Sequence, residues 1–195
     1  MIQLPENNLY GKLAELQRRL AVYEEESAYK EIFFMLFSSL TRFSLSIVHS
    51  RELAEEIVSD IFFIQLWNNR KEAEAIEDLR LYLFIAVKNN SVRKLKQQRK
   101  NTPVSIDDLS IELDSFYLNP EQQLLSGETL HSIERAIEQL PPRARLIFKL
   151  AKEDKMRYKE IASLLNISVK TVDHQLAIAL KKIAAAIGML IRKKS

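Results

Sequence analysis

The sequence predicts an all-α protein: two small helical domains, the second with a helix-turn-helix, joined by a flexible linker. Three observations lead there. Three Gly and five Pro in 195 residues are too few for a β-rich fold with many tight turns. Apolar residues recur every three or four positions through most of the chain, which is the spacing of one helix face. Between Asn101 and about Asn119 that period is lost, and Thr102-Pro103, Asp107-Asp108 and Asn119-Pro120 supply turn and breaker signals. With 47% hydrophobic and 28% charged residues, the chain has material for a core and a solvated surface. The expected organisation is an N-terminal helical extension (1–24), a first domain (25–100), the linker (101–120) and a second domain (121–195).

Each element has its own signal. Leu9, Leu13, Leu16, Leu20 and Tyr23 mark an amphipathic helix between Asn8 and Glu25. Tyr29–Ser50 is richer in apolar residues, from Ile32 through Leu36, Leu40 and Phe43 to Val48, and reads as a buried helix. Ser50 can cap the next helix, where Glu52, Glu55 and Glu56 suit the positive helix start. That helix runs through Ile57, Ile61, Phe62, Ile64 and Leu66 to Trp67, a residue read as core. Asn68-Asn69-Arg70-Lys71 breaks the pattern and opens an exposed, partly helical loop (68–77). Asp78 caps a helix whose apolar face is Leu79, Leu83, Phe84, Ala86 and Val87, and which fades into the basic tail Val92–Lys100. After the linker, Pro120-Glu121 starts a helix through Leu124, Leu130 and Ile137 to Leu140, and Pro141-Pro142 ends it and opens another.

Several chemistries are excluded. No two glycines are close enough for a phosphate-cradling turn. Zero Cys excludes disulfides, thiolate metal sites and a cysteine nucleophile. His49, His131 and His174 are each isolated from other ligand residues, so no metal and no cofactor is expected. No paired carboxylates or nucleophile elbow emerges, so the chain is not expected to be an enzyme and has no small-molecule substrate. No apolar run is read as approaching the roughly 18 residues of a bilayer span, and MIQLPENNLYGKLAELQRRL has no signal core, which gives a cytoplasmic protein.

Charge arrives in blocks. Residues 1–78 hold 8 Lys and Arg against 14 Asp and Glu, whereas residues 79–101 hold 7 and none. The next block, 102–120, has 4 acids and no cation, and 121–195 has 14 cations against 8 acids. Two separated basic segments suit two contacts with a polyanion. The net-negative start is unlike a simple DNA-coating protein.

The most specific local pattern is Tyr158-Lys-Glu-Ile-Ala-Ser-Leu-Leu-Asn-Ile-Ser-Val-Lys-Thr-Val-Asp-His-Gln-Leu. Ile161, Ala162 and Leu165 face inward on a first helix. Asn166 takes the left-handed turn position, Ile167 plugs the junction and Ser168 caps the second helix. There Val169, Val172, Leu176, Leu180 and Ile183 are expected to face the core. Lys170, Thr171, His174 and Gln175 lie where a recognition helix meets base edges. Arg157, Lys159, Lys170, Lys181 and Lys182 are the natural phosphate contacts.

Further residues carry a family resemblance. Ala54-Glu-Glu-Ile-Val-Ser-Asp-Ile-Phe-Phe-Ile-Gln-Leu-Trp-Asn-Asn-Arg resembles region 2.2 of extracytoplasmic-function (ECF, group IV) sigma factors of bacterial RNA polymerase, within the sigma-70 family. Leu81-Tyr-Leu-Phe-Ile-Ala-Val-Lys-Asn-Asn resembles the region that follows, and Leu140-Pro-Pro-Arg-Ala-Arg through Leu180-Lys-Lys-Ile resembles region 4. The match covers about residues 27–97 and 121–187.

The resemblance implies a promoter-specificity subunit that binds core RNA polymerase and promoter DNA and aids melting. Glu56, Asp60, Gln65 and Leu66 would meet the polymerase clamp. Asn68, Asn69, Arg70 and Lys71 would capture an extruded −10 base, while Arg80, Tyr82, Lys88, Asn89, Arg93 and Lys94 would hold the melted strand and adjoining duplex. Arg157, Lys159, Ser168, Lys170, Thr171, His174, Gln175 and Lys181 would contact the −35 element. The linker would thread through the polymerase toward the RNA exit path. An anti-sigma factor that covers these surfaces is also implied, with membrane anchoring left open. Gln175 and Ile178 stand where the family commonly has His and Arg, so Ile178 is left out of the DNA-contacting set. The rival reading is a regulator that binds duplex operators through its helix-turn-helix and uses the N-terminal domain for ligand binding or dimerisation.

Overall fold

The computed structural model describes residues 6–98 and 127–194, and these form helices with no strand among them, so the all-α expectation holds. The chain divides into two compact units, Met1–Val104 and Ser105–Ser195. The expected linker and the helix start at Pro120 lie outside the described residues.

In the first unit, α1 (Glu6–Tyr23), α2 (Glu26–Val48), α3 (Arg51–Asp60) and α4 (Leu79–Gln98) surround one core. Helix α2 is central and packs on the other three. Its Ile32, Leu36, Leu40 and Ile47 are at most 2% exposed, whereas Phe34 on its outer side is open to solvent. By length and composition α2 could cross a membrane, contrary to the expectation that no run comes close. Half of its apolar window is buried inside this bundle. The Ser44 and Ser91 hydroxyls, both buried, hydrogen-bond at 2.8 Å and tie α2 to α4. Helix α1 is part of the bundle, with Leu13, Leu16 and Leu20 buried.

Both caps predicted for the first unit are present. Ser50 Oγ accepts from the Leu53 N–H at 3.2 Å, and Asp78 Oδ1 accepts from the Leu81 N–H at 2.9 Å. Helix α3 does not continue as an α-helix to Trp67. Ile61–Trp67 is a π-helical segment, closed by the Asn68 N–H donating to the Phe63 carbonyl five residues back at 3.1 Å. A 3-10 turn follows over Arg70–Ala75.

The second unit contains α5 (Gly127–Glu138), α6 (Pro142–Lys152), α7 (Tyr158–Leu165) and α8 (Val169–Lys194). Pro142 opens α6, where its missing N–H costs no hydrogen bond. Arg145 Nη2 donates to the Glu138 carbonyl and, at 3.1 Å, to that of Leu140, and so satisfies the end of α5 and the turn after it. Helix α8 packs against α5, α6 and α7.

Candidate nucleic-acid interface

The helix-turn-helix is built by three local devices. Arg157 presents its backbone N–H to Glu160 Oε2 at 2.9 Å, which starts α7 and accounts for a buried glutamate. At the end of α7, Asn166 adopts φ 53° and ψ 51°. The Ile167 N–H then donates to the Ala162 carbonyl at 3.0 Å, which satisfies the helix end. Ser168 Oγ accepts from the Thr171 N–H at 3.0 Å and starts α8. The left-handed asparagine and the serine cap are thus as the sequence predicts.

Helix α8 sorts its side chains by period. Val172, Leu176, Ala179 and Ile183 are buried, and Ser168, Lys170, His174 and Lys181 are exposed. Thr171, Gln175 and Ile178 are half-buried. Two core expectations are corrected: Val169 and Leu180 are 43% and 47% exposed. Val169 is the first residue of α8, before the helix reaches its neighbours, and Ala179 takes the inner place that Leu180 was expected to fill. Arg157, Lys159 and Tyr158 are exposed at the start of α7, so the unit presents cations on both helices of the motif.

In the first unit, Tyr82, Asn89, Arg93 and Lys96 are all exposed on α4, and their spacing of seven, four and three aligns them on one face. Asn89, Arg93 and Lys96 line an open groove together with Val92 and Gln97. Lys88 is half-buried beside this stripe, and burial lowers its ammonium pKa from the ordinary value. Lys94 is paired with Glu56 at 3.1 Å, so one cation expected on DNA and one acid expected on the polymerase hold each other.

Arg80 is corrected. It is 4% exposed, its Nη1 donates to the Tyr10 hydroxyl at 3.3 Å, and its guanidinium lies between the rings of Tyr10 and Phe84 at 5.9 and 5.7 Å. A side chain wedged between α1 and α4 cannot grip a strand. Leu66 is corrected too: it is 1% exposed, because the wide π turn carries it inward. The same turn carries Phe63 and Ile64 out, to 59% and 53% exposure. An exposed apolar pair therefore lies beside exposed Asp60 and half-buried Gln65. Helical periodicity cannot reveal this, since a π segment shifts the register without any special residue.

The loop 68–71 separates into two roles. Asn68 and Lys71 are exposed. Asn69 is exposed as well, but its Nδ2 donates to the Ile64 carbonyl at 3.0 Å and closes the π segment. Arg70 Nη1 donates to the Trp67 carbonyl at 3.0 Å, its Nη2 pairs with Glu24, and its guanidinium carbon sits 4.8 Å from the centre of the Trp67 ring. Trp67 is half-buried rather than core, with the Tyr29 ring 5.1 Å away.

Comparison with known proteins agrees with the helix-turn-helix of the second unit. Residues 130–183 match the family "Sigma-70, region 4". The chain is 30% identical over 120 residues to the ECF RNA polymerase sigma-E factor of Escherichia coli K12, an alignment covering 57% of this chain and 62% of that protein. It is 26% identical over 132 residues to RNA polymerase sigma factor FliA of Salmonella typhimurium, covering 65% of this chain and 54% of that one. The chain thus spans between about half and three fifths of the length of these relatives.

Proposed function

We propose that this chain, a sigma-70 family member of the ECF type, is a promoter-specificity subunit that brings core RNA polymerase to −10 and −35 elements and helps open the duplex. The observation that carries the reading is the pairing of a region 4 helix-turn-helix in the second unit with a first unit whose α4 presents an aromatic and basic stripe. An operator-binding regulator needs the first feature and has no use for the second.

Helix α8 enters the major groove of the −35 element with Thr171, His174 and Gln175 toward the bases. Arg157, Lys159, Ser168, Lys170 and Lys181 meet the backbone, fixing register without reading sequence. On the first unit, Asn68 and Lys71 receive the extruded −10 base from a frame made by Asn69 and Arg70. Tyr82, Lys88, Asn89 and Arg93 hold the strand, Lys94 joining them when it leaves Glu56. Unstacking a base costs a few kcal/mol, offset by stacking and by cations along the backbone. Phe63 and Ile64, with Glu56, Asp60 and Gln65, form the polymerase docking face, an apolar centre with a polar rim. The protein acts by binding and performs no covalent chemistry. It works in the cytoplasm with the polymerase and is held inactive by an anti-sigma factor that covers the same faces.

Reconstitution tests this. Core polymerase plus the full chain should yield discrete transcripts from a genomic promoter pool, and core alone should not. Absence of any transcript dependent on the chain would defeat the reading.

A further inference from the structure

Helices α1 and α2 are joined by two residues, Glu24 and Glu25. Glu24 has φ 53°, the left-handed conformation that favours Gly or Asn after a helix and is strained for other residues. A glutamate there contributes nothing to the turn that glycine would not do better. Its neighbour Glu25 is used locally, accepting from Arg19 Nε and Nη2 at 2.9 and 2.6 Å. Glu24 instead reaches 46 residues along the chain: one carboxylate oxygen accepts from Arg70 Nη2 and the other lies 3.1 Å from Lys71 Nζ. The far end of the same 3-10 turn is also held by α1, since Gln17 Nε2 donates to the carbonyls of Ala73 and Ile76 at 2.6 Å each.

From this geometry we propose that Glu24 is a positioning residue for strand capture, keeping Arg70 against the Trp67 ring so that the 68–71 loop is shaped before DNA arrives. The inference rests on the promoter-binding reading above. Arg70 is then a strut, fixed by a carboxylate, a carbonyl and a ring, and its side chain is 27% exposed. Lys71 is the responsive partner: its side chain is 74% exposed, and it can exchange one carboxylate oxygen for a strand phosphate. The N-terminal helix, read from the sequence as an extension, becomes the backing of the loop. Ordering the loop in advance removes a conformational cost from the capture step.

Trp67 is the only tryptophan of the chain, so its fluorescence reports the Arg70 contact in the free protein without DNA or polymerase. Glu24→Gly removes the carboxylate while giving the backbone a residue suited to φ 53°. The thermal midpoint should hold or rise. Trp67 emission should shift, and Arg70→Met should shift it as well, with little further change in the double variant, as coupled neighbours require. In holoenzyme on a promoter recovered by the transcription assay, Glu24→Gly should slow opening about tenfold, the loss of one charge-assisted hydrogen bond. Initial duplex binding should change much less. Unaltered emission, or emission changes of the two substitutions that simply add, would overturn the strut. Altered emission with wild-type opening would overturn its role in capture. If wild-type holoenzyme opens no promoter, the functional reading falls and takes the capture role with it, whatever the emission shows.

Discussion

Single side chains decide what each surface can do, and Glu24 and Arg80 show two ways. Lys71 and Arg70 hold the Glu24 carboxyl below its ordinary pKa. A depressed carboxylate contributes above the ordinary glutamate range and is lost as pH falls through its folded value. The loop clamp should therefore persist at neutral pH and open only on acidification, seen as a change in Trp67 emission. Glu25 also titrates low, because of Arg19, so Glu24→Gly is the control: it should abolish the acid transition in emission. Arg80 makes the opposite case. Buried between Tyr10 and Phe84, it should matter for folding and hardly at all for DNA. Arg80→Ala should cost about 1–3 kcal/mol in denaturant unfolding, the usual loss for a buried hydrogen-bonding group, while the folded variant binds promoter DNA as the wild type does. Weakened binding at unchanged stability would return Arg80 to the interface.

At the scale of elements, the recognition helix offers the cleanest test, because the phosphate contacts proposed for it predict a slope rather than only an affinity. Lys170→Ala should weaken binding on all sequences and flatten the dependence of log K on log salt by about 0.9, one phosphate's worth. An unchanged slope would remove Lys170 from the backbone contacts. The preceding turn is tested by stability: Asn166→Val, a β-branched residue at φ 53°, should cost about 1–2 kcal/mol, whereas Asn166→Gly should be near neutral. These elements were legible because their signals are local. Asn166 and Ser168 announce a turn and a cap, Pro142 a helix start, and Leu79, Leu83 and Val87 an inner face. Other features were not legible because they depend on partners far along the chain. Arg80 reads as one more cation in a basic helix until Tyr10 is placed beside it. Leu66 and Ile64 exchange inside and outside because the π segment adds a fraction of a turn. The purpose of Glu24 is invisible until Arg70 is in reach.

For the whole molecule, the question is whether two basic faces on separate compact units act as independent grips. The blocks of charge argue that they do. Seven cations without an acid lie in residues 79–101 and a cationic excess in 121–195, with 4 acids and no cation between them. An acidic spacer between basic faces disfavours a continuous polyanion track and favours two separate contacts on one DNA. Separate contacts have an energetic signature. In full-length holoenzyme, Arg93→Ala on α4 and Lys170→Ala on α8 should each weaken promoter binding, and their free-energy losses should add to within about 0.5 kcal/mol. Their salt slopes should add as well, each removing about one released counterion. A promoter cut back so that it carries no −35 DNA should abolish the effect of Lys170→Ala and leave that of Arg93→Ala intact. Strong coupling between the two substitutions on the intact promoter would mean instead that the cations share one stretch of DNA, and the division of −10 and −35 recognition between the two units would have to be abandoned.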